Sequence, residues 1–139
     1  MSYSSKKSPN SEKILISSGS PFEEMTGYSR AVAFGEEIHV SGTTGYDYSN
    51  MTISEDTGEQ ADQCFKNIKK ALEMADFEIE DIVCLRTYFP NRSDWAAIAE
   101  VISKWCNSAR PTSTAVVCGL VDEEMKVEIE AYARRTSAR

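Results

Sequence analysis

A stripe of apolar residues at helical spacing, between about Asp56 and Ala75, is the feature that most constrains how this chain can fold. Apolar side chains recur there at intervals of three, four and seven residues, as on the buried face of an amphipathic α-helix. A second stripe begins near Ser93, with Asn91 or Ser93 as the helix N-cap, and ends before Arg110. Only these two helices are available to cover the strands that the rest of the chain predicts.

Short segments rich in apolar, β-branched and aromatic residues predict the strands. They are Ile14 to Ser17, Ser29 to Phe34, Glu37 to Ser41, Ile82 to Phe89, Ser113 to Leu120 and Met125 to Ala133. The polar stretch from Asp47 to Asp56, with Gly42 and Gly45 before it, predicts a loop. This order of elements predicts an α+β domain in which two helices cover one face of a sheet of five to six strands.

The strand from Ser113 to Leu120 carries apolar side chains on both sides. Val116 points to one face and Val117 to the other, so both faces are expected to be buried. Because two helices cover only one face, a partner subunit is the commonest source of the missing cover, and this predicts a homo-oligomer. The alternative is that apolar residues on one face are singly exposed to water, as is common on protein surfaces.

The ends of the chain and its longest apolar runs bound the domain organisation. Residues 1–12 are rich in Ser, Lys, Pro and Asn, which predicts a flexible leader, and residues 13–139 then form a single domain. No apolar run is long enough for a signal-peptide core or a membrane span. The chain is therefore expected to be cytoplasmic and to have no membrane partner.

Charge and potential metal ligands argue against several classes of function. The chain has 15 Lys and Arg against 22 Asp and Glu, a formal net charge of −7, and its basic residues are scattered, which opposes binding to nucleic acid. Its four cysteines form no C-x-x-C pair, and His39 is its one histidine. Neither a metal site nor a cofactor is predicted from these residues.

The segment from Ala109 to Thr114 places an arginine between the second helix and a strand. A guanidinium there can hold a carboxylate through two hydrogen bonds, with the hydroxyl or amide of Thr112 adding another. Arg110 and Thr112 are therefore candidates for binding an acidic small molecule. An ordinary solvated or ion-paired arginine would give the same pattern.

The last strand alternates acidic and apolar residues. This alternation puts Glu128 and Glu130 on the face opposite Val127 and Ile129. Acidic residues on such a face are usually solvated. Burial against a neighbouring subunit would instead desolvate a carboxylate and let it orient a water or move a proton. Which of the two glutamates would face such a cleft depends on the strand register.

Five motifs, in order along the chain, resemble those of the RidA/YjgF/UK114 family. Tyr28 to Val32 is similar to the family's opening strand, and His39 to Thr43 to its V-S-G strand end. Gln63 to Ile68 is similar to the Q-x-x-x-N-I of its first helix. Ala109 to Pro111 resembles the P-A-R signature, and Val127 to Ala131 the terminal V-E-I-E-A strand. No single motif is specific to the family, but the five motifs in this order are a strong indication of it.

This resemblance implies a chorismate-mutase-like α+β fold with a mostly antiparallel sheet, a homotrimer, and active sites in the clefts between subunits. It also implies hydrolysis of 2-imino acids and their enamine tautomers, such as 2-aminoacrylate or 2-iminobutyrate, to 2-keto acids and ammonia, without a cofactor. By position, Arg110 would clamp the substrate carboxylate and Glu128 would place the attacking water. The residues that would line the substrate pocket are Tyr28, Ser41, Thr43 and Thr112.

Several positions depart from the family pattern. Thr43 stands where deaminases of the family usually have Gln, and Ala99 where they have Asn, while Pro111 and Thr112 replace the residues that often follow the arginine. These changes leave open whether the chain is a deaminase or a non-catalytic protein that binds a small carboxylic acid in the same cleft. An endoribonuclease activity, described for some relatives, is disfavoured by the acidic composition.

Overall fold

The computed structural model describes residues 2–9 and 11–135, which form an α+β domain with a seven-stranded sheet. The predicted α+β class with a mostly antiparallel sheet is confirmed, but the sheet has seven strands where five to six were predicted. The strands are β1 Ser4–Lys7, β2 Ile14–Ser17, β3 Ala31–Phe34, β4 Glu37–Thr44, β5 Tyr46–Asp47, β6 Thr52–Ile53, β7 Ile82–Phe89, β8 Thr112–Val117 and β9 Glu128–Arg134. The α-helices are α1 Pro21–Thr26, α2 Thr57–Glu73 and α3 Trp95–Cys106.

The main sheet has the strand order β1-β2-β3-β4-β9-β7-β8, and β5 pairs with β6 in a separate two-stranded ribbon. Every neighbouring pair in the main sheet is antiparallel except β7 and β8, which are parallel. A parallel pair needs a crossover connection, and α3 supplies it. The C-terminal strand β9 therefore lies inside the sheet, between β4 and β7.

Helix α2 provides most of the cover for one face of the sheet. Its stripe residues Cys64, Phe65, Ile68 and Leu72 have no exposed surface and belong to one apolar cluster with the inward side chains of β4, β7 and β9. Burial of each large aliphatic or aromatic side chain contributes roughly 1.5–3 kcal/mol. The helix begins at an N-cap, Asp56, whose carboxylate accepts from the amide of Glu59 at 2.9 Å.

The start of α3 differs from the predicted N-cap at Asn91 or Ser93. Arg92–Asp94 forms a 3-10 turn, and the α-helix begins at Trp95. Asp94, which precedes it, does not cap the helix with its side chain; its carboxylate instead accepts from the hydroxyl of Thr57 at 3.0 Å. This bond joins the starts of α2 and α3, a long-range contact that no local pattern predicts.

Polar segments contain elements that the sequence did not predict. Where a flexible leader was expected over residues 1–12, Ser4–Lys7 is an edge strand that pairs with β2 through its backbone, with all four side chains exposed. Strands β5 and β6 lie in the segment predicted to be a loop, and α1 begins at the N-cap Ser20. Residues 1 and 10 of the predicted leader, and 136–139 of the predicted domain, lie outside the described residues.

Strand β8 lies at the edge of the sheet, and all six of its residues are exposed in the single chain. The prediction that both of its faces are buried is therefore wrong for one chain by itself. Val116 is 40% exposed and Val117 39%, and Val83 on the neighbouring strand is 43% exposed. The apolar residues that two helices cannot cover, as the sequence indicated, therefore lie at this edge of the sheet. Within the described ranges, no helix has the length and hydropathy needed to cross a membrane.

Candidate functional site

The strand register assigns each candidate residue to one face of the sheet. Ile129 and Ala131 on β9 point toward the helices and are buried, whereas Glu128 and Glu130, which alternate with them, lie on the open face. The predicted alternation of β9 is confirmed. Tyr88 on β7 is the cross-strand partner of Glu128 and lies on the same open face.

A hollow of about 310 Å³ lies where β4, β7 and β9 meet on the open face, and its lining includes Gly42, Tyr88, Cys118, Glu128 and Glu130. The Tyr88 hydroxyl donates a hydrogen bond to Oε1 of Glu130. This bond raises the pKa of Tyr88, because it stabilises the protonated phenol. The Tyr88 hydroxyl therefore holds the Glu130 carboxylate. Glu128 is the second carboxylate of the hollow.

Glu128 lies directly against the backbone of Gly42. A Cβ built on Gly42 would lie 2.9 Å from Cδ of Glu128, so the carboxylate occupies space that only a glycine leaves free. Burial raises the pKa of Glu128, an effect that Arg30 partly offsets and the charge of Glu130 reinforces. A carboxylate in this setting takes up a proton more readily than a solvated one.

Arg30 is a buried arginine, 1% exposed, that fixes the other side of Gly42. Its Nη1 donates to the Gly42 carbonyl at 2.8 Å and to Oγ1 of Thr43 at 3.2 Å, and its Nη2 donates to the Tyr28 hydroxyl at 3.1 Å. The Glu23 carboxylate balances its charge, with Oε2 at 3.5 Å from Nε. Arg30 therefore anchors the backbone segment against which Glu128 lies.

Three of the predicted pocket residues surround Arg30 rather than the hollow. Thr43 is fully buried, and its hydroxyl donates to the Ser41 carbonyl at 2.7 Å while it accepts from Arg30. The Ser41 hydroxyl donates to the Ser29 carbonyl at 2.7 Å. Tyr28 is 37% exposed, and its ring centroid lies 5.5 Å from the Arg30 guanidinium carbon. These residues reach Glu128 through Arg30 and Gly42, not by direct lining of the hollow.

Arg110 lies just beyond α3 with a left-handed backbone, φ 52°. Its amide donates to the Cys106 carbonyl at 2.8 Å, which closes the helix in the way that a C-terminal glycine usually does. With the described residues its guanidinium makes no ion pair. Thr112, two residues on, is held by a hydrogen bond from its hydroxyl to the Val83 carbonyl at 3.0 Å.

Arg110 borders a groove of about 450 Å³ between α3 and the edge of the sheet. The groove includes Leu85 and Ser113, which point to the helix side, as well as Trp95 and Ala99 of α3. It therefore lies on the opposite side of the sheet from the hollow that contains Glu128.

Arg110 and Glu128 do not meet within one chain. Glu128 pairs with Tyr88, whereas Thr112 pairs with Cys84, four residues away along β7. At about 3.3 Å per residue, these levels are about 13 Å apart, and Arg110 lies beyond the farther one. The structure thus gathers Glu128 and Arg110 into two separate clusters.

Three residues of these clusters were not among the candidates from the sequence. Arg30 was part of a strand motif, Tyr88 part of a buried strand, and Trp95 part of an apolar helix stripe. Tyr88 alternates with Thr87 and Phe89, and this period-two pattern could have placed it on the face opposite theirs, although not beside the glutamates of another strand. Among residues 2–9 and 11–135, no group of three His, Cys, Asp or Glu side chains is arranged to hold a metal ion.

The fold and the two clusters define a class: a small α+β domain with a helix-covered sheet, an acidic hollow on the open face and a cationic groove at the edge. The protein-family model described as Endoribonuclease L-PSP matches residues 19–135. The chain belongs to this family, also called the RidA or YjgF/YER057c/UK114 family.

Individual relatives and solved structures agree with this assignment. An uncharacterised protein of Streptomyces coelicolor is 32% identical over 120 residues, 84% of this chain and 90% of the relative. A protein of Dermatophagoides farinae named 2-iminobutanoate/2-iminopropanoate deaminase is 27% identical over 122 residues, 87% of this chain and 95% of the relative.

Among solved structures, a YjgF/YER057c/UK114 family member of Mycobacterium tuberculosis is similar with a TM-score of 0.80 and 34% identity, over 88% of this chain and 99% of the other. The structure of Escherichia coli TdcF with bound serine is similar with a TM-score of 0.73 and 26% identity, over 78% of this chain and 88% of the other.

Proposed function

We propose that this protein hydrolyses reactive 2-imino acids, and their enamine tautomers, to 2-keto acids and ammonia. The observation that carries this proposal is the partly buried carboxylate of Glu128, held against Gly42 with a raised pKa. Such a group can accept a proton from water and return it to a leaving amine. The deaminase name of the relative from Dermatophagoides farinae supports the same reaction.

The proposed site lies between two subunits. Glu128 on the open face of one chain and Arg110 at the sheet edge of a neighbour would approach the same substrate from opposite sides. This arrangement suits the separation of the two residues within one chain, and it covers the exposed apolar residues of β8. A cyclic trimer, in which each edge meets the next open face, generates three such sites by one heterologous contact.

In this site Arg110 would bind the substrate carboxylate through two charge-assisted hydrogen bonds. The reaction then needs one water and no other reactant. Glu128 takes a proton from the water as its oxygen bonds to C2 of the protonated imine, which gives a carbinolamine. The protonated Glu128 passes this proton to the nitrogen, and the C–N bond breaks. Its carboxylate then takes the proton of the C2 hydroxyl, which becomes the keto oxygen, and gives that proton to the departing ammonia, so that ammonium leaves and Glu128 is ionised again.

Positioning and proton transfer are sufficient for this chemistry. Imines hydrolyse in water without a catalyst, and general acid–base help contributes about 10²- to 10⁴-fold. Tyr28 and Ser41 would act through Arg30, and Thr112, whose hydroxyl donates to the Val83 carbonyl, would fix the start of β8 beside Arg110. Thr43 contributes through Arg30, since its hydroxyl is already engaged.

A second candidate function is non-catalytic binding of a small carboxylic acid in the same cleft. It is favoured by Thr43 and Ala99, because neither offers a free polar group at a position where the deaminases usually have Gln and Asn. The two candidates share the arginine clamp and differ in whether Glu128 moves a proton.

A coupled assay distinguishes them. An amino-acid oxidase generates an imino acid in the presence of semicarbazide, and the yield of semicarbazone is followed as the protein is added. A dose-dependent fall in yield, absent in Arg110→Ala and in Glu128→Gln, is the expected result. If neither small nor bulky amino acids give an effect while a 2-keto acid still binds, the protein is the non-catalytic binder.

A further inference from the structure

The groove beside Arg110 combines apolar walls with polar groups and a cationic rim. Its apolar residues include Leu85, Trp95, Ala99, Ile102 and Cys106, while Ser103, Asn107 and Ser113 are polar. Arg110 lies at the edge, and no acidic residue is among the described residues that line the groove. A volume of about 450 Å³ falls in the range of small-molecule pockets, roughly 300–1,000 Å³. A ligand that fits this groove has one anionic group next to an apolar body.

Trp95 gives the groove a rigid wall. The indole is stacked on Phe89, with ring centroids 5.4 Å apart and an interplanar angle of 18°, yet 39% of the residue remains exposed. The stacking fixes the ring plane, so an apolar ligand can bind against it with little loss of side-chain freedom. Ala99, one turn further along α3, is small and leaves the space beside the indole open.

We infer that this groove takes the side chain of the substrate, and that the substrate class is 2-imino acids with a large apolar side chain, branched or aromatic. The inference rests on the proposed function for the reaction and adds its specificity. The carboxylate pairs with Arg110 while the side chain lies against Trp95. A basic side chain would be repelled by Arg110, and a second carboxylate would lose hydration against the indole, with no second cation among the described lining residues to balance its charge.

Binding of product analogues to the unmodified protein tests the groove without depending on catalysis. By calorimetry, 4-methyl-2-oxopentanoate is expected to bind about 10- to 50-fold more tightly than pyruvate, because it buries about three more carbon atoms. The neutral ketone 4-methyl-2-pentanone, which lacks the carboxylate, is expected to bind more weakly than either acid. Equal affinity for the two acids, or no heat with either, overturns the inference.

Two matched variants connect the preference to the groove. Ala99→Gln fills the space beside Trp95 and is expected to reduce the preference for the larger acid to less than about threefold. Ala97→Gln makes the same change at an exposed position of the same helix and should leave the preference intact. If both variants keep it, the side chain binds elsewhere and the inference fails.

The coupled assay separates this inference from the proposed function. Imines generated from leucine should be hydrolysed in preference to those from alanine. Hydrolysis without that preference would refute the inferred role of the groove but leave the proposed deaminase activity standing. Tight, groove-dependent binding of the larger acid without hydrolysis would refute the proposed deaminase activity but support the role of the groove in binding.

Discussion

The carboxylate of Glu128 occupies the space that a side chain on Gly42 would need. A Cβ on Gly42 would approach Cγ of Glu128 to 3.2 Å and its Cδ to 2.9 Å, and the Gly42 carbonyl is held from the other side by Arg30. In this chain Gly42 permits a close approach of Glu128 and does not supply an unusual φ, since its backbone lies outside the left-handed region. The Glu128 carboxylate, the proposed proton-transfer group, can occupy its position because residue 42 has no side chain.

Gly42→Ala is therefore expected to displace the Glu128 carboxylate and reduce kcat/KM by about 100-fold, because general acid–base catalysis requires the group within hydrogen-bond reach. The coupled assay measures this, with circular dichroism to show that the fold is retained. Gly58→Ala, on helix α2, is the matched control: its Cβ would lie 3.3 Å from an Asp56 carboxylate oxygen, and activity should be unchanged. Equal activity in both variants would show that Glu128 need not occupy this position.

Glu128→Gln separates catalysis from stability. Because burial raises the pKa of Glu128, the folded chain binds this proton more tightly than the unfolded chain does. The stability that Glu128 contributes therefore falls as pH rises from its unfolded pKa through its folded pKa. We expect Glu128→Gln to be at least as stable as the wild type at pH 7, with the difference closing at acidic pH, while activity falls about 10²- to 10⁴-fold.

Urea denaturation at several pH values checks this prediction. A variant clearly less stable than the wild type at pH 7 would mean that the charged carboxylate supports the fold. The acid limb of the wild-type pH–rate profile should lie above the ordinary pKa of a glutamate, since the ionised form is needed as the base.

Arg110→Gly tests why an arginine stands at a position suited to glycine. At φ 52°, a residue with a Cβ costs roughly 1 kcal/mol more than glycine, which offsets the extra freedom of glycine in the unfolded chain. The variant should therefore be as stable as the wild type or up to about 1 kcal/mol more stable. Binding of 2-keto acids should nevertheless be lost. A loss of stability in thermal unfolding would indicate that Arg110 is kept for the fold.

Arg30→Met tests the buried ion pair with Glu23. The substitution leaves the Glu23 carboxylate, 5% exposed, without its cation, and removal of one partner of a buried pair typically costs about 3–5 kcal/mol. Lys66→Met breaks an exposed pair with Asp62, whose side chains are 56% and 42% exposed, and should change stability by less than about 0.5 kcal/mol. Similar urea midpoints for the two variants would contradict the anchoring role of Arg30.

Periodic local signals explain what the sequence predicted of the fold. The stripe between Asp56 and Ala75 became α2 at Thr57–Glu73, and the segments Ile14–Ser17 and Ile82–Phe89 are strands with the predicted bounds. Strand β1 has no such signal, because its polar side chains are all exposed and it is held by backbone pairing alone. The burial of Arg30 was equally hidden, since its partners come from α1, from the segment before β3 and from β4.

The candidate site was predictable residue by residue but not as an arrangement. Alternation on β9 put Glu128 and Glu130 on one face, yet only the fold shows that Gly42 lies beside the first and Tyr88 holds the second. The segment around Arg110 predicted a guanidinium that can bind a carboxylate, with an ordinary solvated or ion-paired arginine as the alternative. That Arg110 lies on the opposite side of the sheet from Glu128 depends on the parallel pairing of β8 with β7, a long-range register.

This separation makes the shared site testable by complementation. Arg110→Ala and Glu128→Gln are each expected to be inactive alone, because every site then lacks one of its two groups. If subunits mix at random in equal amounts, about a quarter of the sites combine an intact Arg110 from one variant with an intact Glu128 from the other, since each site draws one residue from each of two neighbours. Co-expressed or refolded mixtures should therefore recover about a quarter of wild-type activity per site. A mixture as inactive as its components would place both residues in the same subunit's site, which the register of β7, β8 and β9 opposes, or show that the two do not act together.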